Sequence, residues 1–171
     1  MIRTNQRMLQ ILYDLHVGKG HHLSPRLKGL LDAGIIEEDG CWFLTKCRSG
    51  TKNVISEFQD RTGLECFVNK IHIEEKEPVT LQEQGYIFVD TLRQLLEPRG
   101  VFNIIMGLSY SDFDGKPDIL TCNVRFHKVR AGESWLRDDL ETYKDDGLLV
   151  LTTGLMQMRE SDIAAVIDDR C

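Results

Sequence analysis

No run of apolar residues in this 171-residue chain is long enough to cross a bilayer; the longest, such as Leu148–Leu151, are far too short. Met1-Ile2-Arg3-Thr4-Asn5-Gln6-Arg7 is followed by no apolar stretch of the kind a secretory leader carries. Both absences lead to the expectation of a cytoplasmic protein with no membrane role. The cysteines, Cys41, Cys47, Cys66, Cys122 and Cys171, are odd in number and form no CxxC pair. Cys41 and Cys47, with His21 and His22 upstream, fit no usual zinc-ligand spacing. Serine nucleophile elbows, phosphate loops and dinucleotide glycine patterns are missing, and Gly18-Lys19-Gly20 is too short to count as one. Internal repeats and low-complexity tracts are missing too. The expectation is a protein that is no enzyme and needs no cofactor or metal.

What is present is an ordinary globular balance, 42% hydrophobic and 28% charged, enough for one domain with at most a small appendage. The net charge of -6 is unevenly spread. Residues 1–52 hold eight Lys/Arg against five Asp/Glu, or +3; residues 53–171 hold thirteen against twenty-two, or -9. An acidic C-terminal part repels phosphate and favours a basic partner, so nucleic acid is an unlikely ligand for it.

The stretch 101–130 organises the chain. Val101–Tyr110 reads as a strand, 111–118 as a turn-rich loop, and 119–128 as a second strand. In that second strand Leu120, Cys122, Val124 and Phe126 alternate with Thr121, Asn123, Arg125 and His127. Upstream, Thr4 to about His16 predicts a helix, and Ser24-Pro25 starts another that stops at Gly34. A turn at Glu38-Asp39-Gly40 leads into the short strand 41–45. Lys46–Lys52 is a basic link and the best candidate boundary, dividing a helical segment, 1–47, from a main domain, 53–171. The pattern then predicts a helix over 53–61, a strand over 66–74 and a helix from the Thr80/Glu83 capping box to about Glu97. After the central hairpin come a helix over 135–144, a strand over 148–152 and a last helix from Ser161. The expected fold is α+β: an antiparallel sheet in a ferredoxin-like β-α-β-β-α-β order, preceded by a segment like a degenerate winged helix.

Three clusters bear on chemistry. His72 and His127 share the outward parity of their strands and could meet as an acid/base pair, though no carboxylate at a defined spacing supports it. Asp112-Phe113-Asp114-Gly115 with Asp118 has part of an acidic metal loop but lacks the remaining ligands, and turn duty explains its glycine and proline. The richest acidic patch runs from Glu133 to Asp146, with Asp138, Asp139, Glu141 and Asp145, and only Arg137 and Lys144 oppose it. With Asp112, Asp114 and Asp118 these carboxylates are the candidate partner-binding residues. A solvated helix face is the plainer explanation of such a patch, with Asp138 and Asp139 placed in a first turn by the helix dipole.

The blocks Phe67-Val68-Asn69-Lys70-Ile71-His72-Ile73-Glu74 and Glu133-Ser134-Trp135-Leu136-Arg137-Asp138-Asp139-Leu140-Glu141, with Tyr143 and Gly147, resemble those of small acidic immunity proteins from bacterial contact-dependent inhibition and related polymorphic toxin systems. The resemblance covers about residues 64–153. It implies a non-enzymatic cytoplasmic inhibitor that binds a cognate protein toxin, often a basic nuclease domain, and leaves the toxin unspecified. The alternative is a transcriptional regulator of winged-helix type whose ferredoxin-like part binds a ligand or dimerises. There Lys19, Arg26 and Lys28 would meet DNA phosphates.

Overall fold

A computed structural model describes residues 1–12, 22–74, 78–111 and 119–154. Its centre is the expected hairpin, β5 (Phe102–Ser111) and β6 (Ile119–Lys128), paired in one unbroken register from Phe102↔Lys128 to Ser111↔Ile119. On one side β5 pairs with β7 (Asp146–Thr152), which pairs with β1 (Ile2–Thr4); on the other, β6 pairs with β4 (Ile71–Ile73). The five strands lie in the order β1-β7-β5-β6-β4, and every neighbouring pair is antiparallel.

Period two gives this sheet two faces. The first presents Ile104, Met106, Leu108, Cys122, Val124, Phe126 and Leu149 to the main core. The helix α5 (Pro78–Leu96) covers it, burying Leu81, Phe88, Val89 and Leu92. The close approach is fixed at Gly85, where a Cβ would stand 2.8 Å from both Cys122 Sγ and Met106 Cε. The N-terminal helices α1 (Gln6–Leu12) and α2 (Pro25–Asp32) add Met8, Ile11, Leu27 and Leu31 to the same core. Helix α1 rests on Gly147 of β7, where a Cβ would meet Met8 Cα at 3.0 Å. Residues Ile2–Thr4 are thus a strand of the main sheet, which their brief pattern does not announce.

A second sheet, the hairpin of β2 (Ile35–Glu38) and β3 (Cys41–Leu44), follows α2, with Asp39 (φ 52°) and Gly40 (φ 76°) in the turn. The helix α3 (Thr45–Ser49) occupies most of the expected basic link. Beyond it, residues 53–60 hold only a 3₁₀ turn at Ile55–Glu57 in place of the helix expected over 53–61. The Glu57 carboxylate accepts hydrogen bonds from Asn53 Nδ2 and Val54 N there, which holds the chain in a tight turn.

Helix α4 (Arg61–Val68) corrects the expected strand over 66–74, of which only β4 is extended. The Asp60 carboxylate accepts from Gly63 N at 2.7 Å and starts the helix. Leu64, Glu65, Val68 and Asn69 are buried, the spacing of a helix and not of a strand. The helix expected over 135–144 is also absent. The chain there is irregular except for a 3₁₀ turn at Leu140–Thr142, opened by Asp139 accepting from Glu141 N. Its apolar residues are drawn flat onto the second face of the sheet, where Leu140 joins Ile105, Leu148 and Val150 with Leu136 and Tyr143 packed against them. The fold is therefore α+β on a mainly antiparallel sheet. One split crossover is present, β4-α5-β5 around β6. The ferredoxin-like order differs in two respects. The connection from β6 to β7 carries no α-helix, and β5 and β6 take the middle of the β7-β5-β6-β4 row, where the ferredoxin-like order has the first and third strands of the unit.

Candidate partner-binding site

The irregular segment 129–145 is a strap over the second sheet face, and buried polar groups hold it at both ends. At one end, Asn5 is 1% exposed, and its Nδ2 donates to the carbonyls of Leu140, Tyr143 and Asp146 at 3.4, 3.1 and 2.8 Å. Its Oδ1 accepts from Met8 N and Leu148 N at 3.0 and 2.9 Å. One asparagine thereby ties β1, α1, the strap and β7 together. At the other end, Arg130 forks onto Glu65 of α4, Nη2 to Oε1 at 2.7 Å and Nη1 to Oε2 at 2.8 Å. Glu65 is fully buried, and it also accepts from Trp42 N and Lys128 N at 2.7 and 2.9 Å. The Glu65 carboxylate keeps the Arg130 guanidinium above its ordinary pKa. One turn later on the same helix face, Asn69 accepts from Leu44 N and donates to the carbonyls of Trp42 and Phe126. Glu65 and Asn69 thus satisfy backbone groups of β3 and of the end of β6, and seal the small hairpin to the large sheet.

The candidate carboxylates separate into three groups. Asp112, Asp114 and Asp118 lie outside the described residues. Glu133 and Asp146 are half-buried and engaged. Glu133 Oε2 accepts from Thr62 N and Thr62 Oγ1 at the start of α4, at 3.0 and 2.9 Å, and lies 3.8 Å from Arg130 Nη1. Asp146 Oδ1 accepts from Ser109 Oγ across β7 and β5. Asp138, Asp139, Glu141 and Asp145 are exposed. Three of them, Asp138, Asp139 and Glu141, line a shallow open depression with Arg3, Thr4 and Leu140. Arg3 Nη1 donates to the Asp138 carbonyl at 3.4 Å, and Glu141 Oε1 accepts from Gln6 N at 2.9 Å, so β1 and α1 fix the strap's acidic bend. Another crevice, between α5 and β1, is narrow and apolar, lined by Ile2, Tyr86, Val89, Asp90, Met106, Leu149 and Leu151.

The histidine pair is not brought together. His72 lies opposite Asn123, while His127, four residues further along β6, is roughly 13 Å away by strand rise. His127 is 3% exposed, and burial holds its ring below the ordinary imidazole pKa. Cys66 and Cys122 are buried, and burial pushes the Cys122 thiol up to about 12, the behaviour of packing residues. Among the described residues no group of three or more His, Cys, Asp and Glu is disposed to hold a metal ion. Two of the three basic residues considered for DNA are engaged: Arg26 Nη2 donates to the His72 carbonyl at 2.5 Å, and Lys28 pairs with Asp32 at 2.6 Å. The third, Lys19, lies outside the described residues. No helix among those residues is long and apolar enough to cross a membrane.

Glu65, Asn69 and Asn5 are the residues that sequence reasoning missed. For the first two a signal existed: polar residues four apart, one inside the apolar run Leu64–Val68 and one just after it, mark one helix face. For Asn5 the local signal was only that of a helix cap, through Met8 N; its other side-chain partners lie 135 or more residues away.

These features define an α+β protein with a five-stranded antiparallel sheet, one face under a helix and the other under a strapped acidic loop. The model of the uncharacterized protein PM0498 family matches residues 3–160, and the chain belongs to that family. No curated protein and no solved structure matches it.

Proposed function

We propose that this protein is an immunity protein of a bacterial contact-dependent inhibition or polymorphic toxin system, which binds a cognate toxin domain in the cytoplasm and neutralises it by occlusion. The observation that carries the reading is the strap's acidic bend. Asp138, Asp139, Glu141 and Asp145 stand exposed on an irregular segment that is nevertheless anchored by Asn5 and by the Glu65–Arg130 pair. Carboxylates on a fixed scaffold can occupy the places of phosphates in a basic nuclease cleft, and a field of one sign speeds the encounter. The -9 balance of residues 53–171 supports the same partner. Preorganisation matters because a rigid acidic surface loses little conformational entropy on docking.

The test is capture from the native host with the full chain as bait. The expected result is a basic toxin-like protein encoded beside this gene. Its binding should weaken steeply with salt and fall when Asp138 and Asp145 are both changed to Lys, with the melting temperature unchanged. Recovery of no basic partner, together with no toxin-like neighbouring gene, would sink the reading.

A further inference from the structure

Arg125 is placed differently from the arginines that hold the fold together. Arg48, Arg93 and Arg130 each meet a carboxylate within 3.0 Å. Arg125 sits half-buried on the second face of the sheet and meets no carboxylate among the described residues. Its guanidinium lies over the Trp135 ring, 5.1 Å from the centroid, and Nη1 donates to the Cys66 carbonyl of α4 at 3.0 Å. Nε and Nη2 have no protein partner among the described residues, and neither is among the fully buried atoms left without one. The side of the fork that carries Nε–H and Nη2–H is the side that grips an oxyanion in a bidentate manner. Here it is held in place by an aromatic ring and a backbone carbonyl, with no carboxylate of the chain set against it.

Its neighbours have the matching chemistry. Asn123 precedes it by two residues on the same face of β6, and His72 on β4 stands directly opposite Asn123, so the two Cβ atoms are roughly 5 Å apart. The Asn123 amide lies over Gly107 of β5, neither it nor the His72 ring has a hydrogen-bond partner among the described residues, and Lys70 immediately precedes β4. Burial, Lys70, Arg125 and Arg26 hold the His72 ring below its ordinary pKa, opposed by Glu74 alone, and Glu74 is 4.0 Å from Arg26. Three donors in a row, with local positive charge on an otherwise acidic chain, make a surface for a negative group and not for a cation.

We propose that Arg125, Asn123 and His72 form a binding site for an oxyanion, a carboxylate or a phosphate group, on the open face of the sheet beside Trp135. The site does not depend on the inhibitor role. The test is nuclear magnetic resonance of the full chain, titrated at constant ionic strength with inorganic phosphate in one series and acetate in another. Saturable shifts are expected at the His72 ring, the Asn123 amide and Arg125 Nε, with the pKa of His72 rising by about half a unit or more as the anion binds. Arg125→Lys keeps the charge and loses the fork, so the affinity should fall about tenfold. Arg125→Gln should abolish saturation, and an otherwise unchanged spectrum shows that the fold is intact. Tighter binding of phosphate assigns a phosphate-bearing ligand, and tighter binding of acetate a carboxylate. Shifts that grow linearly with both salts, or that persist unchanged in Arg125→Lys, would overturn the proposal.

Discussion

A few buried polar residues carry more of this structure than their number suggests. The Asn5 side chain makes five hydrogen bonds with almost no exposure, so Asn5→Ala leaves several backbone groups unsatisfied at once. The expected loss is about 2–4 kcal/mol of unfolding free energy, measured by urea denaturation. Glu65 and Arg130 are a buried pair, and removing one partner strands the other. Arg130→Ala should cost about 3–5 kcal/mol, and a double change of Glu65 and Arg130 to apolar residues should cost less than the two single changes combined. His127 adds a pH effect. Burial lowers its folded pKa, so between the unfolded value of about 6.5 and the lower folded value the unfolded chain binds the extra proton. Stability therefore falls as pH drops through that window and levels off below it. His127→Asn should flatten the dependence, as read from denaturation midpoints between mildly acidic and neutral pH.

Among the elements, α5 and the strap illustrate opposite relations between local sequence and structure. Helix α5 is written in its own residues: a long apolar stripe closed by Pro98 and Gly100. Its one unusual demand is Gly85. Alanine is the better helix former by about 1 kcal/mol, yet its Cβ would collide with the short, immobile Cys122 side chain. Gly85→Ala should therefore destabilise by about 1–3 kcal/mol, and Cys122→Ala in the same chain should recover part of the loss, a coupling that a double-mutant cycle in urea measures. The strap spaces Trp135, Leu136, Leu140 and Tyr143 as a helix would. The sheet face beneath it offers Leu136, Leu140 and Tyr143 a burial that a free-standing amphipathic helix would have to share with water. Asn5 then takes up the carbonyls that a helix would have satisfied internally. Helix α4 reverses the case, since an apolar run too short to be told from a strand by pattern became helical around an Asp60 cap and the Glu65–Asn69 face.

For the molecule as a whole, charge and shape point in different directions on the two ends of one sheet face. The strap's bend is acidic, while the β4–β6 edge presents Arg125, His72 and Lys70. A partner that spans both would be fixed in orientation as well as attracted. A double Asp138→Lys, Asp145→Lys variant should slow association with a basic partner and reduce its salt dependence while leaving unfolding unchanged, as rapid-mixing kinetics would read it.

By itself the sequence determined the central hairpin, α5, α2 with its following turn and the terminal strand β7, because in each the apolar period or the capping and turn residues are local properties of the chain. It also determined where the acidic residues would be dense. Which carboxylates are free was decided only by the tertiary structure, since Glu133 is drawn to the start of α4 and Asp146 to Ser109 by contacts 71 and 37 residues distant. The same holds for β1, a strand only because β7 offers it an edge, and for the strap, whose side chains found a sheet face more favourable than their own helix. Burial against a partner distant in sequence is a free energy that no local period records.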